Sequence, residues 1–316
     1  MRIRVLGSAA GGGFPQWNCG CGNCQAVRGN TSAKRFTGKA RTQSQLALSA
    51  DGATWFLAGA SPDLAFQIEI SPELHPRAFR KTSRDSPIAG VVLGCADLDH
   101  VLGLLLLREL QPLRVYAAPS ILRILREENS MFGMLNRVAP QVVWTPMAKD
   151  HDGNAPFPLL SPTGEASGLR CEVHYLSGRY PKYVRTGAEN LAGNEATAAL
   201  FFQSPSGARL AYIPAVDSLS DTLLEKIRDS ALLLFDGTFW SDDELQRVQG
   251  SGETAHQMGH IPIEESLQLL KNVKVGRKMF IHLNNTNPIL NEASPEHRAV
   301  REAGWEVAED NWQLEL

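Results

Sequence analysis

Long uncharged apolar runs are missing from this chain of 316 residues. The most apolar stretch, residues 101–107, is far shorter than the roughly 18 residues a membrane span needs. An excess of positive charge is missing as well: 31 Lys and Arg stand against 34 Asp and Glu, a formal charge of −3. That balance offers no electrostatic footprint for nucleic acid or an anionic membrane surface. Cysteine is scarce, and its count of five is odd, which argues against a secreted disulfide framework. The N-terminal MRIRVLGSAAGGGFPQW is broken by Arg4 and runs into glycines, so it does not read as a secretory leader. Internal repeats, heptads and low-complexity tracts are absent too. A soluble cytoplasmic protein is the expectation.

Apolar residues are present in ordinary globular proportion, 43%, enough for a sizeable core without disulfides. Asp51-Gly52 between apolar runs at 45–49 and 54–57 predicts a hairpin. Ser61-Pro62-Asp63 predicts a helix start, with Ser61 as N-cap and Pro62 in the first position. Residues 88–93 read as a buried strand and 100–110 as the helix after it. Residues 147–168, rich in Gly, Pro and Asp, read as loop, and so do 182–194. Strand–helix alternation dominates the rest, so the fold class is α/β with mixed sheets. No linker stands out, and one domain over 1–316 is expected.

Cys19, Cys21 and Cys24 form the first chemical cluster. C-x-C-x-x-C spacing, interleaved with glycines, lets three thiols wrap one small ion, as structural zinc requires. Three unrelated cysteines, or a redox pair of Cys21 and Cys24, are the alternatives. A fourth ligand must come from elsewhere, and the region of His282 and Asn285 is the candidate.

Cys95-Ala96-Asp97-Leu98-Asp99-His100 forms the second cluster, between a buried strand and an apolar helix. In extended backbone, positions 95, 97 and 99 project to one side. Oxygen and imidazole donors together suit iron, manganese or zinc. The plain alternative makes Asp99 an N-cap and His100 a first-turn residue. A third group follows apolar strands: Asp236, His282, and the i,i+4 pair His256 and His260. Any one of these can be a satisfied core histidine or carboxylate, but their shared placement at strand ends points to one pocket.

Other features carry less. The segment 7–13 lacks both the P-loop and the dinucleotide-binding glycine patterns. Cys95 and Cys171 can be plain buried thiols, and His75, His151, His174 and His297 stand alone.

The order of strand, Asp-His loop, helix, Gly259-His260 and Ile281-His282 resembles the metallo-β-lactamase superfold. Its H-x-H-x-D-H loop corresponds here to Cys95-x-Asp97-x-Asp99-His100, with both leading histidines replaced. Tyr212-Ile213-Pro214-Ala215 lacks the superfold's bridging aspartate. More specific motifs resemble the pyrroloquinoline quinone (PQQ) biosynthesis protein B family: 6–13 with 15–19, Arg41-Thr42-Gln43-Ser44, Ala60-Ser61-Pro62-Asp63, Phe235-Asp236-Gly237-Thr238, Met258-Gly259-His260 and 282–288. Few family marks fall within about 120–200, which reads as a variable insertion, whereas about 18–24 reads as the zinc loop.

The resemblance implies a four-layer αββα sandwich and a role in making PQQ from a Glu- and Tyr-bearing peptide. Two roles are associated with it: iron-dependent, O2-using hydroxylation of the tyrosine ring in a Glu–Tyr precursor, and carriage of PQQ or a precursor. A metal-dependent hydrolase typical of the superfold is a third reading. Exchanging imidazoles for carboxylates hardens the ligand set, which suits Fe(II). The expected active-site ligands are Asp97, Asp99, His100 and His282, with Asp236 and His260 in catalytic or supporting roles. Arg41 is the expected partner of the substrate's carboxylates. A dipeptide or small-molecule partner is expected, without nucleic acid or membrane, and the sequence leaves monomer and homo-oligomer open.

Overall fold

Apolar runs become strands, and several are buried on both faces, as parallel strands between covering layers must be. The computed structural model describes residues 1–30, 36–77, 84–138, 141–147, 155–184 and 191–316. His151 and part of the 182–194 loop lie outside them. The chain divides into two compact units: Met1–Leu6, Gln45–Arg209 and Asn311–Leu316 make one, Gly7–Ser44 and Leu210–Asp310 the other. Each unit is assembled from separate stretches, so no single linker separates them. That is why sequence composition suggests one domain.

In the first unit, a seven-stranded sheet runs from the C-terminal strand Gln313–Glu315 through β1 (Arg2–Gly7), β2 (Gln45–Ser49), β3 (Trp55–Ala58), β4 (Ile88–Val92) and β5 (Leu113–Ala117) to β6 (Val142–Pro146). Strands β3 to β6 pair in parallel, whereas β2–β3 is an antiparallel hairpin. Asp51 closes that hairpin by accepting from Ala53 N at 2.8 Å and Thr54 N at 2.7 Å, an Asx-type turn as expected from Asp-Gly. Leu57, Val91, Val115 and Ile121 join one apolar core.

Three local expectations change. The helix after Asp63 spans Leu64–Glu69, and Ser61 caps nothing: its hydroxyl donates to Gln67 Oε1 at 3.0 Å. Residues 100–110 form a short α-turn, Leu98–Val101, and then a 3-10 stretch, Leu102–Leu107. Gly103 sits so close to the chain there that a Cβ would lie 2.3 Å from the Ser61 carbonyl. The 147–168 segment, read as loop, contains β7 (Phe157–Leu160) and the start of β8 (Ala166–Leu176). These pair antiparallel, and β8 pairs with β9 (Thr197–Gln203). Cross-strand pairing supplied the backbone partners that a polar, Gly-rich sequence does not advertise.

The second unit is built on four parallel strands: β10 (Arg209–Ile213), β11 (Leu232–Asp236), β12 (Arg277–Ile281) and β13 (Glu306–Val307). Helices Asp221–Ile227 and Ile263–Leu269 belong to the same unit. Ser220 caps the first, accepting from Leu223 N. In the register, Asp236 pairs with Ile281, so Asp236 and His282 leave neighbouring strand ends side by side. Carboxyl ends of parallel strands are where such sheets gather chemistry. Among the described residues, no helix is long and apolar enough to cross a membrane.

Candidate functional site

Three donor clusters form within the two units. In the second unit, one ligand atom each from Cys19, Cys21 and Cys24 lies within 4.8 Å of the others. Sulfurs sharing a tetrahedral zinc, with bonds of about 2.3 Å, stand about 3.8 Å apart, so the three thiols need only a small contraction. The Asn285 amide nitrogen faces all three sulfurs, at 3.0 Å from Cys19, 3.4 Å from Cys24 and 3.6 Å from Cys21. Turning that amide over would present its oxygen to the same point, so Asn285, and not His282, fits the fourth corner. Burial opposes ionisation of Cys19, yet hydrogen bonds from Cys21, Cys24 and Asn285 outweigh it and hold the thiol below its ordinary value. Burial and the neighbouring thiols push Cys24 up to about 12. Three thiols packed this tightly would ionise together only around a cation, because a coordinated metal removes that penalty. All five cysteines are free of disulfides.

Asp236, His260 and His282 form the second cluster, again with ligand atoms within 4.8 Å and all three buried. Four donors satisfy the Asp236 carboxylate. Val216 N at 3.1 Å and His260 Nδ1 at 2.7 Å reach Oδ2; Thr238 N at 3.0 Å and Thr238 Oγ1 at 2.7 Å reach Oδ1. The hydroxyl proton of Thr238 is thereby committed to Asp236. Its oxygen can only accept from the two imidazoles, His282 Nδ1 at 2.9 Å and His260 Nδ1 at 3.1 Å. Both rings must therefore carry their proton on Nδ1, leaving Nε2 as the basic nitrogen of each. One carboxylate and one hydroxyl set two tautomers, the usual task of groups behind metal-ligating histidines. The rings stack with centroids 5.7 Å apart. Thr238 enters the sequence reading only as the last residue of the Phe235-Asp236-Gly237-Thr238 motif, with no role assigned; the Asp-x-Thr spacing, which favours a local side-chain turn, is the signal for its contact with Asp236.

Several family motifs converge on His282. It sits just beyond β12 at φ +63°, a conformation costly for a non-glycine residue. Neighbours hold it there: Leu283 N donates to the Ser8 carbonyl and Ala10 N to the Leu283 carbonyl, at 2.9 and 2.8 Å. The glycine-rich 7–13 segment is thus a brace and not a phosphate loop. Gly237 is required by close approach, since a Cβ would stand 2.8 Å from Leu283 Cδ2 and 3.0 Å from the Ile281 carbonyl.

Cys95 to His100 in the first unit forms the third cluster. Asp97, not Asp99, occupies the N-cap position, and its side chain makes no capping bond. The plain capping alternative is therefore not realised. Asp99 Oδ2 lies 3.7 Å from His100 Nε2, and His100 is buried. Burial, then the charges of Asp97 and Asp99, push the Cys95 thiol well above its ordinary range.

Two expectations need correction. Arg41 is buried and turned onto the protein: Nη1 donates to Ser8 Oγ at 3.1 Å and to the Ala308 carbonyl, with Glu309 4.0 Å from Nη2. A guanidinium so engaged braces the loops and does not await a substrate. His256 does not share a site with His260. It is exposed, bonded to Glu265 at 3.0 Å, because Gly259 at φ +84° ends the turn that would align them.

Glu244 is a further site residue the sequence does not announce. It is buried and accepts from Thr286 Oγ1 at 2.5 Å and Trp240 N at 2.6 Å, buttressing the turn that carries Asn285. Burial pushes its carboxyl from 4.5 up to about 7. The folded state then holds the proton more tightly than the unfolded chain, so this contribution is full below pH 4.5 and is lost as pH rises towards 7. Unfolding free energy of the wild type, relative to Glu244→Gln, is expected to fall by about 3 kcal/mol between pH 4.5 and 7.5. Urea unfolding of both proteins at the two pH values checks this; parallel profiles would refute it.

Comparison with known proteins gives the setting. A β-lactamase superfamily domain model matches residues 54–283. The chain is 39% identical to a coenzyme PQQ synthesis protein B of Rhodopseudomonas palustris, covering the whole of both, and 39% identical to one from Gluconacetobacter diazotrophicus, covering 98% of each. Zn2+-bound PqqB from Methylobacterium extorquens has a TM-score of 0.87 at 39% identity over the whole of both chains. A diphosphatase of the PhnP family, at 18% identity and covering 100% of this chain and 97% of its own, has a TM-score of 0.65, a likeness of fold alone. The α/β sandwich of the metallo-β-lactamase fold, with mixed sheets, is the fold of this chain.

Proposed function

This chain belongs to the coenzyme PQQ synthesis protein B family, and from that premise we propose that it hydroxylates the tyrosine ring of a Glu–Tyr precursor of PQQ. The observation that supports this most is the tautomer lock by Asp236 and Thr238, which leaves Nε2 of His282 available to a metal and Nε2 of His260 available to a proton. A carrier of small molecules has no use for such preparation, and a two-zinc hydrolase needs the histidines that Cys95 and Asp97 replace. The family resemblance implies His100, His282 and Asp99 or Asp97 as ligands for Fe(II), a two-histidine, one-carboxylate set with open positions. When bound, iron would supply oxygen activation, for an overall reaction in which one oxygen atom enters the ring and the other leaves as water, an external reductant providing two electrons and solvent two protons. His260, tied through Nδ1 to Asp236, receives the proton released from the ring at its Nε2. Cys19, Cys21, Cys24 and Asn285 would hold a structural zinc, and thiols of this kind persist in the reducing cytoplasm.

Fe(II)-loaded protein, given O2 and reductant, is expected to add one oxygen to Glu–Tyr by mass. His282→Ala is expected to abolish product while leaving the circular dichroism spectrum unchanged. A folded, Fe(II)-loaded wild type that binds Glu–Tyr and yields no product would put the carrier reading ahead.

A further inference from the structure

With Arg41 occupied by the protein, the carboxylates of an acidic substrate need other cations, and the first unit carries two on a pinned strap. The strap, residues 177–184, leaves the end of β8 and is held at three points. Gly178 packs on Thr197 so closely that a Cβ would lie 2.8 Å from Thr197 Oγ1, and Thr197 in turn bridges to Cys95. Tyr180 Oη donates to the Ala192 carbonyl at 2.6 Å. Tyr183 Oη donates to the carbonyl of Ala96, inside the Cys95–His100 loop.

Arg179 and Lys182 alternate with those anchoring tyrosines. Both are exposed, and among the described residues neither has an ion-pair partner. The exposed Arg2, Arg84 and Arg108 of the same unit, by contrast, each lie within 4 Å of a glutamate carboxylate. Burial raises the Tyr183 phenol above its ordinary range, and the charge of Asp97 adds to this, which shows how close the strap lies to the acidic loop. A substrate bearing carboxylates is repelled by Asp97 and Asp99 as it approaches. Cations fixed beside that loop offset the repulsion and favour one orientation.

We propose that Lys182 and Arg179, held beside the Cys95–His100 loop by Tyr183 and by the packing of Gly178 on Thr197, read the carboxylates of a peptide substrate and so determine specificity for acidic peptides. The inference rests on the substrate named in the proposed function, but not on its chemistry. The test uses the full chain loaded with Zn2+, so that binding is read without turnover, and titrates Glu–Tyr and Gln–Tyr into wild type and the Arg179→Gln, Lys182→Gln double variant. Loss of two exposed charge contacts predicts that the double variant binds Glu–Tyr about fivefold more weakly. Gln–Tyr should change less, and the salt dependence of Glu–Tyr binding should flatten. Unchanged Glu–Tyr affinity, equal losses for both peptides, or wild type that does not bind Glu–Tyr would each overturn the proposal. Selective binding to the Zn2+-loaded protein, with no hydroxylated product from the Fe(II)-loaded protein under O2 and reductant, sinks the hydroxylase reading alone. Turnover with an unaltered KM in the variant sinks this inference alone.

Discussion

Replacing Asp236 with alanine is expected to cost about 3–5 kcal/mol of stability and to weaken metal binding at His282 by about 10- to 100-fold. The carboxylate takes four hydrogen bonds in a buried setting, so its removal leaves Val216 N, Thr238 N, Thr238 Oγ1 and His260 Nδ1 without their acceptor. Buried donors left unpaired are what make such truncations severe. Asp236→Asn separates the two effects. The amide keeps the shape and most of the bonds, but its NH2 group must face either Thr238 or His260. A proton arriving from that side drives the imidazoles towards the wrong tautomer. This variant should therefore unfold close to wild type in denaturant yet lose metal affinity like the alanine. Equal metal affinity in Asp236→Asn and wild type would sink the tautomer argument, whatever the stability data say.

Cys24→Ser is expected to remove about one equivalent of zinc and, with zinc at a thousandfold its dissociation constant, about 4 kcal/mol of stability. The consequence should reach the second cluster, because one turn serves both. Asn285 faces the three sulfurs, while Asn284 N donates to the Thr238 carbonyl at 3.1 Å and Asn287 Nδ2 to the Gly237 carbonyl at 2.9 Å. Loosening that turn frees Thr238 and, through it, His282. Metal analysis and calorimetry, each with and without chelator, decide the matter. Wild-type zinc content in the variant, or no change in its melting with chelator, would refute the structural site.

The two clusters were legible to different degrees. Cys19, Cys21 and Cys24 announce themselves because three ligands within six residues can meet around one ion wherever the rest of the chain goes. Asp236 and His282 could be picked out as polar groups closing apolar strands. Their adjacency could not, since it depends on β11 and β12 pairing in one register out of many. The role of Thr238 and the presence of Glu244 at the site were silent. A threonine or a glutamate has no signature as a tautomer lock or a turn buttress until the fold brings its partners to it. Arg41 and His256 misled for the same reason: one is claimed by Ser8 and Ala308, the other by Glu265.

By itself, then, the sequence determined the α/β class, the strand-end placement of Asp236 and His282, the thiol triad, and through its motifs the family. These depend on periodicity and short-range spacing, which act within a few residues along the chain. Tertiary structure decided that the chain divides into two units built from separate stretches, that Arg41 is a brace, and that Asp236 and Thr238 together set two histidines. Those facts rest on contacts between residues tens to hundreds of positions apart. Such contacts are chosen by packing and strand register, and no local pattern in the chain encodes them.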